Sequence, residues 1–377
     1  MRKLASIQKI TALNPIEGAD KILVADVLGW KVVVEKGKFS SGDLVVYCEI
    51  DSILPNLPQF AFLEKNKFRI KTIRLRGQIS QGICFTIDDA FRGLKKPADL
   101  QEGTDVTQAL GIKKYEPNID NIIDKADSFA ATQPKWVKQY LPKALVKFIY
   151  RRAPRLAKWL FMPKDNRLPF PDFIPKTDEE RVQSMESDLL AKIVQEPLSA
   201  TEKVDGSSCT IYCYRGKFGV CSRNKELKED DSAYWIATRK FNLKEKLTKL
   251  CKEEGQDLAL QGEILGPSIQ SNKYRLHEID LYLFNVYFIK QGKYGSNEIV
   301  AQYAKKLDLH VVPTIYTQVS LKGKSVEEIV LMSDGKSKLN EDTLREGLVW
   351  RTTRDGKFKG YSFKAVSNKF LLKNPED

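Results

Sequence analysis

Hydrophobic and polar positions alternate in short runs over the first part of the chain. Each run is bounded by Gly, Asp or Ser, and the clearest are ILVADV (22–27), WKVVVEKG (30–37) and DLVVYCEI (43–50). Several short alternating runs with turn residues between them are typical of a small barrel or sandwich. The pattern therefore predicts an all-β N-terminal domain over residues 1–95, built as a small barrel.

The second half of the chain has a mixed pattern. A helical repeat over 242–254 places Leu243, Leu247 and Leu250 on one face and ends at Gly255. Further predicted elements are a helix at 297–307, a helix that starts at the capping box of Thr177 and Glu180, a hairpin around Arg215 and Gly216, and strands at 258–265, 280–289, 346–353 and 361–366. These elements predict an α+β domain over residues 169–377, with antiparallel sheets and flanking helices.

A basic region lies between these two domains. Residues 135–164 contain nine basic side chains and no acidic one, and Pro142 and Pro154 interrupt the run. Because proline breaks helices, we expect two or three short amphipathic helices and assign residues 96–168 to a basic, largely helical connector. Three interpretations stay open: the helices lie on nucleic acid, lie on an anionic membrane surface, or pack their aromatic side chains on a domain with the charges in water.

Composition narrows the class of protein. The 377 residues are 42% hydrophobic and 29% charged, which is typical of an ordered globular protein with more than one domain. The formal net charge of +13 and the pI near 9.2 favour a polyanionic partner, above all nucleic acid. The N-terminus lacks the apolar core of a secretory signal, and no run of about 18 apolar residues suggests a membrane span. We therefore expect an intracellular protein, cytoplasmic or nuclear.

The cysteines and histidines of the chain are few and scattered. The six cysteines form no CxxC pair, and only His277 and His310 could join them, which argues against a zinc cluster. We expect buried free thiols in a reducing compartment.

A strand rich in basic residues follows in RIKTIRLRG (69–77). Arg69 and Lys71 share one face of a regular strand, whereas Arg74 and Arg76 fall on the opposite face unless a β-bulge brings all four together. A basic stripe of this kind is suited to contacts with nucleic-acid phosphates, and a solvated strand face is the equally weighted alternative. The four side chains are our candidates for nucleic-acid binding.

The stretch TEKVDGSSCTIY (201–212) alternates like a strand but carries Lys203 just before Val-Asp-Gly. On its own this tetrapeptide is weak evidence, because short patterns recur by chance. Five further motifs follow it in order: Ser222-Arg223-Asn224, Gly262-Glu263, Phe284, Glu346-Gly347-Leu348-Val349 and Lys364. All six motifs in this order are much less expected by chance than any one of them alone, so the ordered set is specific evidence where a single motif is not.

This ordered set resembles the covalent nucleotidyltransferase superfamily, which contains ATP-dependent ligases and RNA capping enzymes. The upstream text FPDFIPKTDEERVQ (170–183) is similar to RNA ligases, and GADKILVADVLGW, GDLVVYCEIDSILP and RLRGQISQGI resemble OB-type barrels. The whole chain most resembles the fifth RNA ligase family, which carries an OB domain ahead of its catalytic domain. The resemblance implies an α+β fold with an N-terminal OB-type β-barrel, the basic connector and a C-terminal nucleotidyltransferase domain at 169–377.

The resemblance makes Lys203 the nucleophile that attacks the α-phosphorus of ATP and holds AMP as a phosphoramidate. A free lysine amine has a pKa of about 10.4, so nearby positive charge is needed to favour its neutral form at neutral pH. Lys364 and a bound Mg2+ or Mn2+ would supply that charge. Asp205 is suited to order the lysine or a ribose hydroxyl, and Gly206 lets the backbone approach the nucleotide closely. Glu202 is a candidate that reads the adenine amino group.

The remaining motif residues are expected to bind the nucleotide or its metal ion. Arg223 offers a fork of donors to ribose or phosphate oxygens with Asn224 as a weaker partner, although a salt bridge at the hairpin end is the ordinary alternative. Glu263 and Glu346 are the expected ligands of Mg2+ or Mn2+, or of the ribose. Phe284 is expected to stack on adenine, although core packing is the commoner fate of such a residue.

The last motif departs from the ligase pattern. Many ligases have two lysines separated by one residue there, whereas this chain has Lys364 and then Val366. Lys369, Lys359 and Lys357 are the candidates to replace the missing amine.

These expectations combine into one function. We expect an ATP-dependent polynucleotide (RNA) ligase that uses Mg2+ or Mn2+ and joins 3′-OH and 5′-phosphate ends at nicks, as in RNA repair. Its partner would be RNA, including a nicked duplex whose 5′-phosphate strand is RNA or DNA, and the protein would act as a monomer. Two alternatives stay open: a capping-type guanylyltransferase, and a catalytically inactive RNA- or tRNA-binding protein.

Overall fold

The computed structural model describes residues 3–115, 141–142, 145, 148–149, 152, 168–352 and 360–374. The chain divides into a large unit, residues 1–114 with 168–377, and a small unit, residues 115–167. In the small unit the described residues Phe148 and Arg152 are helical, and the Arg152 guanidinium lies 5.6 Å from the centre of the Phe148 ring. Apart from such single residues, the basic helices predicted at 135–164 lie outside the described residues.

The N-terminal part of the large unit is built from short strands, as the alternating pattern predicts. Its described elements are β1 (Ala5–Lys9), β2 (Ala12–Ile16), β3 (Ala19–Val27), β4 (Trp30–Glu35), β5 (Leu44–Cys48), β6 (Ser52–Ile53), β7 (Thr72–Leu75), β8 (Gln78–Gln81), β9 (Ile83–Phe85), β10 (Lys113–Lys114), a 3-10 helix (Pro58–Asn66) and α1 (Ile87–Ala90). The pairs are antiparallel, in the sheets β1-β5-β9, β2-β3-β4, β7-β8 and β10-β6.

These strands enclose one hydrophobic core. In β4 every second side chain points inward, so Trp30, Val32 and Val34 are buried while Glu35 is exposed. The core does not end at the predicted boundary of residue 95. Val106, Leu110 and Ile112 belong to the same buried cluster, and backbone hydrogen bonds tie residues 103–106 to β1. The barrel therefore extends through residue 112.

The C-terminal part of the large unit holds two sheets and their flanking helices. Its described strands are β11 (Leu168–Pro169), β12 (Glu180–Arg181), β13 (Leu198–Lys203), β14 (Ser207–Tyr214), β15 (Lys217–Ser222), β16 (Lys225–Leu227), β17 (Leu258–Leu265), β18 (Asp280–Phe288), β19 (Lys293–Tyr294), β20 (His310–Val311), β21 (Thr314–Val319), β22 (Gly347–Thr352) and β23 (Ser362–Val366). Its described helices are α2 (Ser187–Ile193), α3 (Ala233–Lys240), α4 (Leu243–Glu254), α5 (Asn297–Leu307), α6 (Val326–Leu331) and α7 (Asn368–Lys373), with 3-10 turns at Val182–Ser184 and Gln270–Asn272.

The two sheets differ in size and in the helices that cover them. The larger has the order β11-β16-β15-β14-β17-β18-β19, with β20 also paired to β18, and α3, α4 and α5 share its buried cluster. The smaller has the order β12-β23-β22-β13-β21, and α2 and α6 pack on it. The helices predicted at 242–254 and 297–307 are confirmed, as is the hairpin turn at Arg215 and Gly216, both of which have positive φ. The α+β fold class is confirmed.

The helix predicted from the capping box of Thr177 and Glu180 is wrong. Glu180 and Arg181 instead form β12, which pairs in parallel with Phe363 and Lys364 of β23. Pairing with an exposed sheet edge satisfies the backbone groups that a helix would satisfy internally, and helix α2 begins only at residue 187.

The barrel packs directly on the C-terminal sheets. The Lys31 ammonium pairs with Glu327 of α6 at 2.8 Å, and the Arg181 guanidinium lies 5.6 Å from the centre of the Trp30 ring. Ile79 of the barrel shares a small apolar cluster with Val366 and with Phe370 and Leu371 of α7. Both charge contacts and apolar burial therefore fix the barrel against the sheet that carries Lys364.

The expected state of the cysteines is confirmed, since all six are free and buried. Across residues 3–115, 168–352 and 360–374, no helix has both the length and the apolar character needed to cross a membrane.

Gly82 supplies a test of the barrel. Its φ is +104°, and a β-carbon there would lie 2.7 Å from the Cys48 carbonyl oxygen. We expect Gly82→Ala to destabilise the barrel by about 2 to 4 kcal/mol, because it adds a steric clash to an unfavourable φ. Gly37→Ala is the control, since Gly37 also has positive φ but open space around it, and should cost about 1 kcal/mol. Urea unfolding followed by the fluorescence of buried Trp30 measures both, and equal losses would contradict the steric explanation.

Candidate active site

Three neighbouring strands of the smaller sheet assemble the centre of the site. In the antiparallel pair of β13 and β22, Lys203 lies opposite Gly347 and so beside Glu346. In the pair of β22 and β23, Lys364 lies opposite Val349. Strand register alone therefore brings together a lysine, a glutamate and a second lysine that are far apart in the sequence.

Lys203 is held by Glu346 through two hydrogen bonds. Its ammonium donates to both carboxylate oxygens at 2.6 Å, and both side chains are half-buried. Burial by itself lowers the pKa of Lys203, but the negative charges of Glu346 and Glu263 outweigh it, so that this pKa lies above its ordinary value. In this state the nucleophile predicted from the sequence is protonated and fixed in direction, and it must lose a proton before it can attack.

Lys364 shows the opposite behaviour. Burial, and then the positive charges of Arg181 and Lys203, lower the pKa of Lys364 from 10.5 to about 7. The sequence suggested that Lys364 would lend its charge to the nucleophile. The Arg181 guanidinium, which strand β12 carries to the neighbouring position, is a second cation on this side of the site, and the sequence analysis missed it.

Glu263 faces this group from the larger sheet. The pKa of Glu263 is raised to about 8, chiefly by burial; the positive charge of Lys203 acts against this rise, and the carboxylates of Glu346 and Asp205 add to it. A carboxyl group in such surroundings gains from any added cation, because positive charge would stabilise its ionised form.

The site fits a divalent cation. No group of three or more His, Cys, Asp or Glu side chains in the described part of the chain is arranged as a metal cage. Magnesium, however, is commonly bound by one or two carboxylates together with substrate phosphates and water, and Glu263 and Glu346 both face the same cavity. Their hard oxygen donors suit Mg2+ or Mn2+.

Asp205 and Gly206 form the turn that follows the nucleophile. The Asp205 carboxylate pairs with the Lys273 ammonium. The backbone N–H of Asp205 donates to the Tyr274 hydroxyl at 2.7 Å. A β-carbon on Gly206 would collide with the Ile264 carbonyl oxygen and lie 2.8 Å from the side chain of Glu263. Glycine is therefore required here by the close approach of β17, whether or not a nucleotide is bound.

A cavity of about 390 Å3 opens between the two sheets. The larger sheet contributes Glu263 and Phe284, and the smaller sheet contributes Lys203, Val349 and Lys364. Phe284 and Val349 give the cavity an apolar portion beside its charged centre, which suits a flat base next to phosphates.

The candidate nucleotide-binding residues differ in where they lie. Arg223 lines the cavity, but its guanidinium is largely exposed and pairs with Asp178 at 2.5 Å, which is the hairpin-end salt bridge given as the alternative. Asn224 is exposed outside the cavity lining, where its Oδ1 accepts a hydrogen bond from Lys176 at 3.2 Å. Glu202 is buried, and its carboxylate accepts from the Lys338 backbone N–H at 2.8 Å.

Arg351 is a further cavity residue that the sequence analysis missed. Its guanidinium donates to the Thr201 hydroxyl at 3.0 Å and lies 3.8 Å from the Glu179 carboxylate, and burial lowers its pKa. Strand parity contained the signal, because Val349 and Arg351 are two residues apart in β22 and must share a face.

The structure explains the missing second lysine at Val366. This side chain is buried under Ile79 of the barrel and the helix α7 residues Phe370 and Leu371, where an ammonium would lack solvent. Lys369 points elsewhere, since it is largely exposed and pairs with Asp334 at 3.2 Å. Lys357 and Lys359 lie outside the described residues.

The four basic residues predicted for nucleic-acid binding do not share one regular strand. Strand β7 spans only Thr72–Leu75, and its register with β8 contains no bulge. Arg69 precedes β7 and pairs with Asp51 at 2.9 Å, and Lys71 is half-buried. Arg74 and Arg76 are exposed at the tip of the β7–β8 hairpin, where Arg76 has positive φ. The predicted stripe is thus reduced to an exposed arginine pair.

Comparisons with known proteins find similar domains and similar solved structures. A family model described as RNA ligase matches residues 196–366, and a model of an OB-fold domain matches residues 4–87. Two similar solved structures are of Naegleria gruberi RNA ligase: a lysine-to-alanine mutant with ATP and Mn, at 35% identity and TM-score 0.73, and the protein with PPi, at 35% identity and TM-score 0.71. Each match covers 99% of this chain and 99% of the other. No curated protein matches the chain.

The low pKa of Lys364 predicts how stability depends on pH. Below about pH 7 this side chain is charged in both the folded and unfolded states, and the folded state bears the full cost of burying the charge. Between pH 7 and 10.5 only the unfolded state holds the proton, so the cost falls as pH rises. We expect Lys364→Met to raise the thermal midpoint relative to wild type at pH 6, by an amount that shrinks toward pH 10.

Thermal unfolding of both proteins at a series of pH values checks this expectation. Lys373→Met, which removes an exposed lysine from the last turn of α7, is the control and should show no such trend. A gain that stays constant up to pH 10 would contradict the lowered pKa.

Proposed function

Because the chain belongs to the RNA ligase family, we propose that it joins RNA 3′-OH and 5′-phosphate ends at nicks through a lysyl-AMP intermediate on Lys203. It is an ATP-dependent RNA ligase with an OB domain ahead of its catalytic domain. The observation that carries the proposal is the placement of Lys203. Its ammonium is fixed by Glu346 at one end of a cavity that also holds Phe284, Glu263 and Lys364.

In the first step the neutral Lys203 amine attacks the α-phosphorus of ATP. A P–N bond forms, the bond to the β,γ-pyrophosphate breaks, and pyrophosphate leaves with its electron pair. The cavity offers Phe284 and Val349 to the adenine base and Lys364 and Arg223 to the phosphates. Glu346, which accepts both hydrogen bonds from Lys203, is the nearest base for the proton that the ammonium must lose.

The second and third steps transfer AMP to the RNA and seal it. A 5′-phosphate oxygen attacks the phosphorus of lysyl-AMP, which breaks the P–N bond and restores Lys203. The 3′-hydroxyl then attacks the activated 5′-phosphate, loses its proton, and releases AMP. Phosphoryl transfer of this kind depends mainly on positioning and on charge stabilisation, for which a site of carboxylates and cations is suited.

ATP and a divalent metal ion are the cofactors. The Naegleria gruberi RNA ligase structures with ATP and Mn and with PPi support their use here, and Glu263 and Glu346 are the proposed metal-holding residues. A bound cation would neutralise phosphate charge and compete with Lys203 for the carboxylate of Glu346.

RNA is the substrate that the family implies, and we propose that the barrel and the basic connector bind this RNA. The exposed Arg74 and Arg76 at the hairpin tip are suited to phosphate contacts on a nicked duplex. We further propose that the protein acts as a monomer inside the cell, where six buried thiols suit a reducing compartment.

Labelling with α-labelled ATP tests the nucleophile. Wild-type protein, first treated with pyrophosphate to remove any AMP already bound, should take up an acid-labile label in Mg2+ or Mn2+ on a denaturing gel. Lys203→Arg should take up none, because arginine keeps the positive charge but does not release its proton. Lys217→Arg, an exposed position in the same domain, is the matched control and should label like wild type.

Three outcomes would overturn the assignment. Labelling from GTP but not from ATP would favour the guanylyltransferase, and a wild-type protein that takes label from neither nucleotide would favour an inactive binding protein. Equal labelling of Lys203→Arg and wild type would show that another residue is the nucleophile.

The hairpin arginines allow a test of RNA contact that leaves the first step untouched. We expect Arg74→Ala with Arg76→Ala to weaken binding of a nicked RNA duplex and to reduce the slope of log affinity against log salt by about 2, while self-adenylylation stays unchanged. Arg92→Ala, an exposed barrel arginine paired with Asp89, is the control. An unchanged affinity and salt slope in the double variant would exclude the hairpin from the RNA interface.

A further inference from the structure

The turn that follows the nucleophile is covered by a separate loop, residues 266–276, between β17 and β18. Several of its non-glycine residues have positive φ: Ser268, Gln270, Ser271, Asn272 and Arg275. The Asn272 side chain bridges the loop by bonding both the backbone N–H and the carbonyl of Leu276, at 3.0 and 2.9 Å. The loop is thus held in an unusual path by its own hydrogen bonds and by what it contacts.

Lys273 is the residue through which this loop reaches the site. Its ammonium forms an ion pair with the Asp205 carboxylate, and both side chains are largely buried, at 19% and 16% exposed. The same ammonium lies 4.4 Å from the centre of the Phe370 ring in α7, and the Lys273 carbonyl accepts from the Asn340 amide at 3.0 Å. One cation is therefore shared between an anion in the site and an aromatic face outside it.

Lys273 does not line the cavity, whereas Asp205 does. Any effect of Lys273 on the chemistry must therefore pass through Asp205. The hydroxyl of the next loop residue, Tyr274, accepts a hydrogen bond from the backbone N–H of Asp205. The loop therefore fixes both the side chain and the backbone of Asp205.

We propose that Lys273 is a positioning residue for lysine adenylylation, which holds the Asp205 carboxylate in place two residues after Lys203 and anchors it to helix α7. The inference rests on the proposed function, since it concerns the first step of that reaction. Removal of Lys273 leaves a largely buried carboxylate without its partner, and such a group turns toward other cations or water. The charge of Asp205 already acts on Lys203, two residues earlier in the chain, so a misdirected Asp205 would disturb the line of attack.

Helix α7 is a suitable anchor because it is fixed from two sides. Its Phe370 and Leu371 pack in the apolar cluster with Val366 of β23 and Ile79 of the barrel. The ion pair between Lys273 and Asp205 therefore connects the turn after the nucleophile to the place where the barrel meets the catalytic domain.

The test measures the rate of self-adenylylation of the full chain against ATP concentration. We expect Lys273→Met to lower the maximal rate at least about tenfold, because positioning errors act on the chemical step, while the half-saturating ATP concentration stays within about twofold. Lys273→Arg should recover most of the rate, since it restores a cation for Asp205. In an Asp205→Asn background, Lys273→Met should cost no more than about twofold, because no carboxylate is left to position.

Lys306→Met is the matched control. Lys306 also pairs with a carboxylate, that of Glu254 at 2.6 Å, and lies 5.0 Å from the Tyr303 ring, but it is remote from the cavity. It should label at the wild-type rate. If thermal unfolding shows that Lys273→Met is not folded, Lys273→Gln replaces it. The glutamine amide can still donate a hydrogen bond to Asp205 but carries no charge, so we expect a smaller loss of rate.

The outcomes separate this inference from the proposed function. A wild-type protein that takes no label would overturn both. If wild type labels normally, three results would overturn the positioning role alone. The first is an unchanged rate in Lys273→Met, and the second is a change confined to the half-saturating ATP concentration. The third is an equal loss of rate when Lys273→Met is made in the Asp205→Asn background.

Discussion

Lys203 and Glu346 place opposite charges 2.6 Å apart where two antiparallel strands meet, and the site is built around that contact. An ion pair withdrawn from water is costly unless its hydrogen bonds are well formed, and here the carboxylate accepts two. Glu346 thereby fixes the direction of the lysine, but it also favours the protonated form, which cannot attack. The site thus stabilises Lys203, the proposed nucleophile, in a protonated form that binding of substrate and cation would have to change.

The charged groups around this pair have pKa values that are shifted toward neutral pH. Burial is the main cause that raises the pKa of Glu263 to about 8, and burial with the charges of Arg181 and Lys203 lowers the pKa of Lys364 to about 7. A negatively charged nucleotide gains from Lys364 in its charged form, and a divalent cation gains from Glu263 in its ionised form. These side chains are therefore matched to ligands of both signs, as expected for a site that binds ATP together with a metal ion.

The barrel contributes to the catalytic domain through direct packing. It covers Val366 where many ligases carry a lysine, and its Trp30 contacts Arg181, the cation beside Lys364. Helix α7 lies between the barrel and Lys273, which holds Asp205. Packing between the domains thus extends to side chains on both sides of the nucleophile.

The sequence by itself determined the elements and the chemistry. The barrel strands and helices α4 and α5 could be predicted because they depend on local periodicity, which can be read from the sequence. The ordered motifs from Lys203 to Lys364 depend on residue type and order, which can be read there as well. The sequence failed where contacts between distant segments decide the structure. Thr177 and Glu180 match the capping-box pattern, yet Glu180 pairs with the edge of a sheet. Arg69 and Arg76 lie outside strand β7, to which the alternating pattern assigned them. Only the tertiary structure brought Arg181 and Lys273 to the site, because their positions depend on register and packing between segments that are distant along the chain, and no local pattern records those contacts.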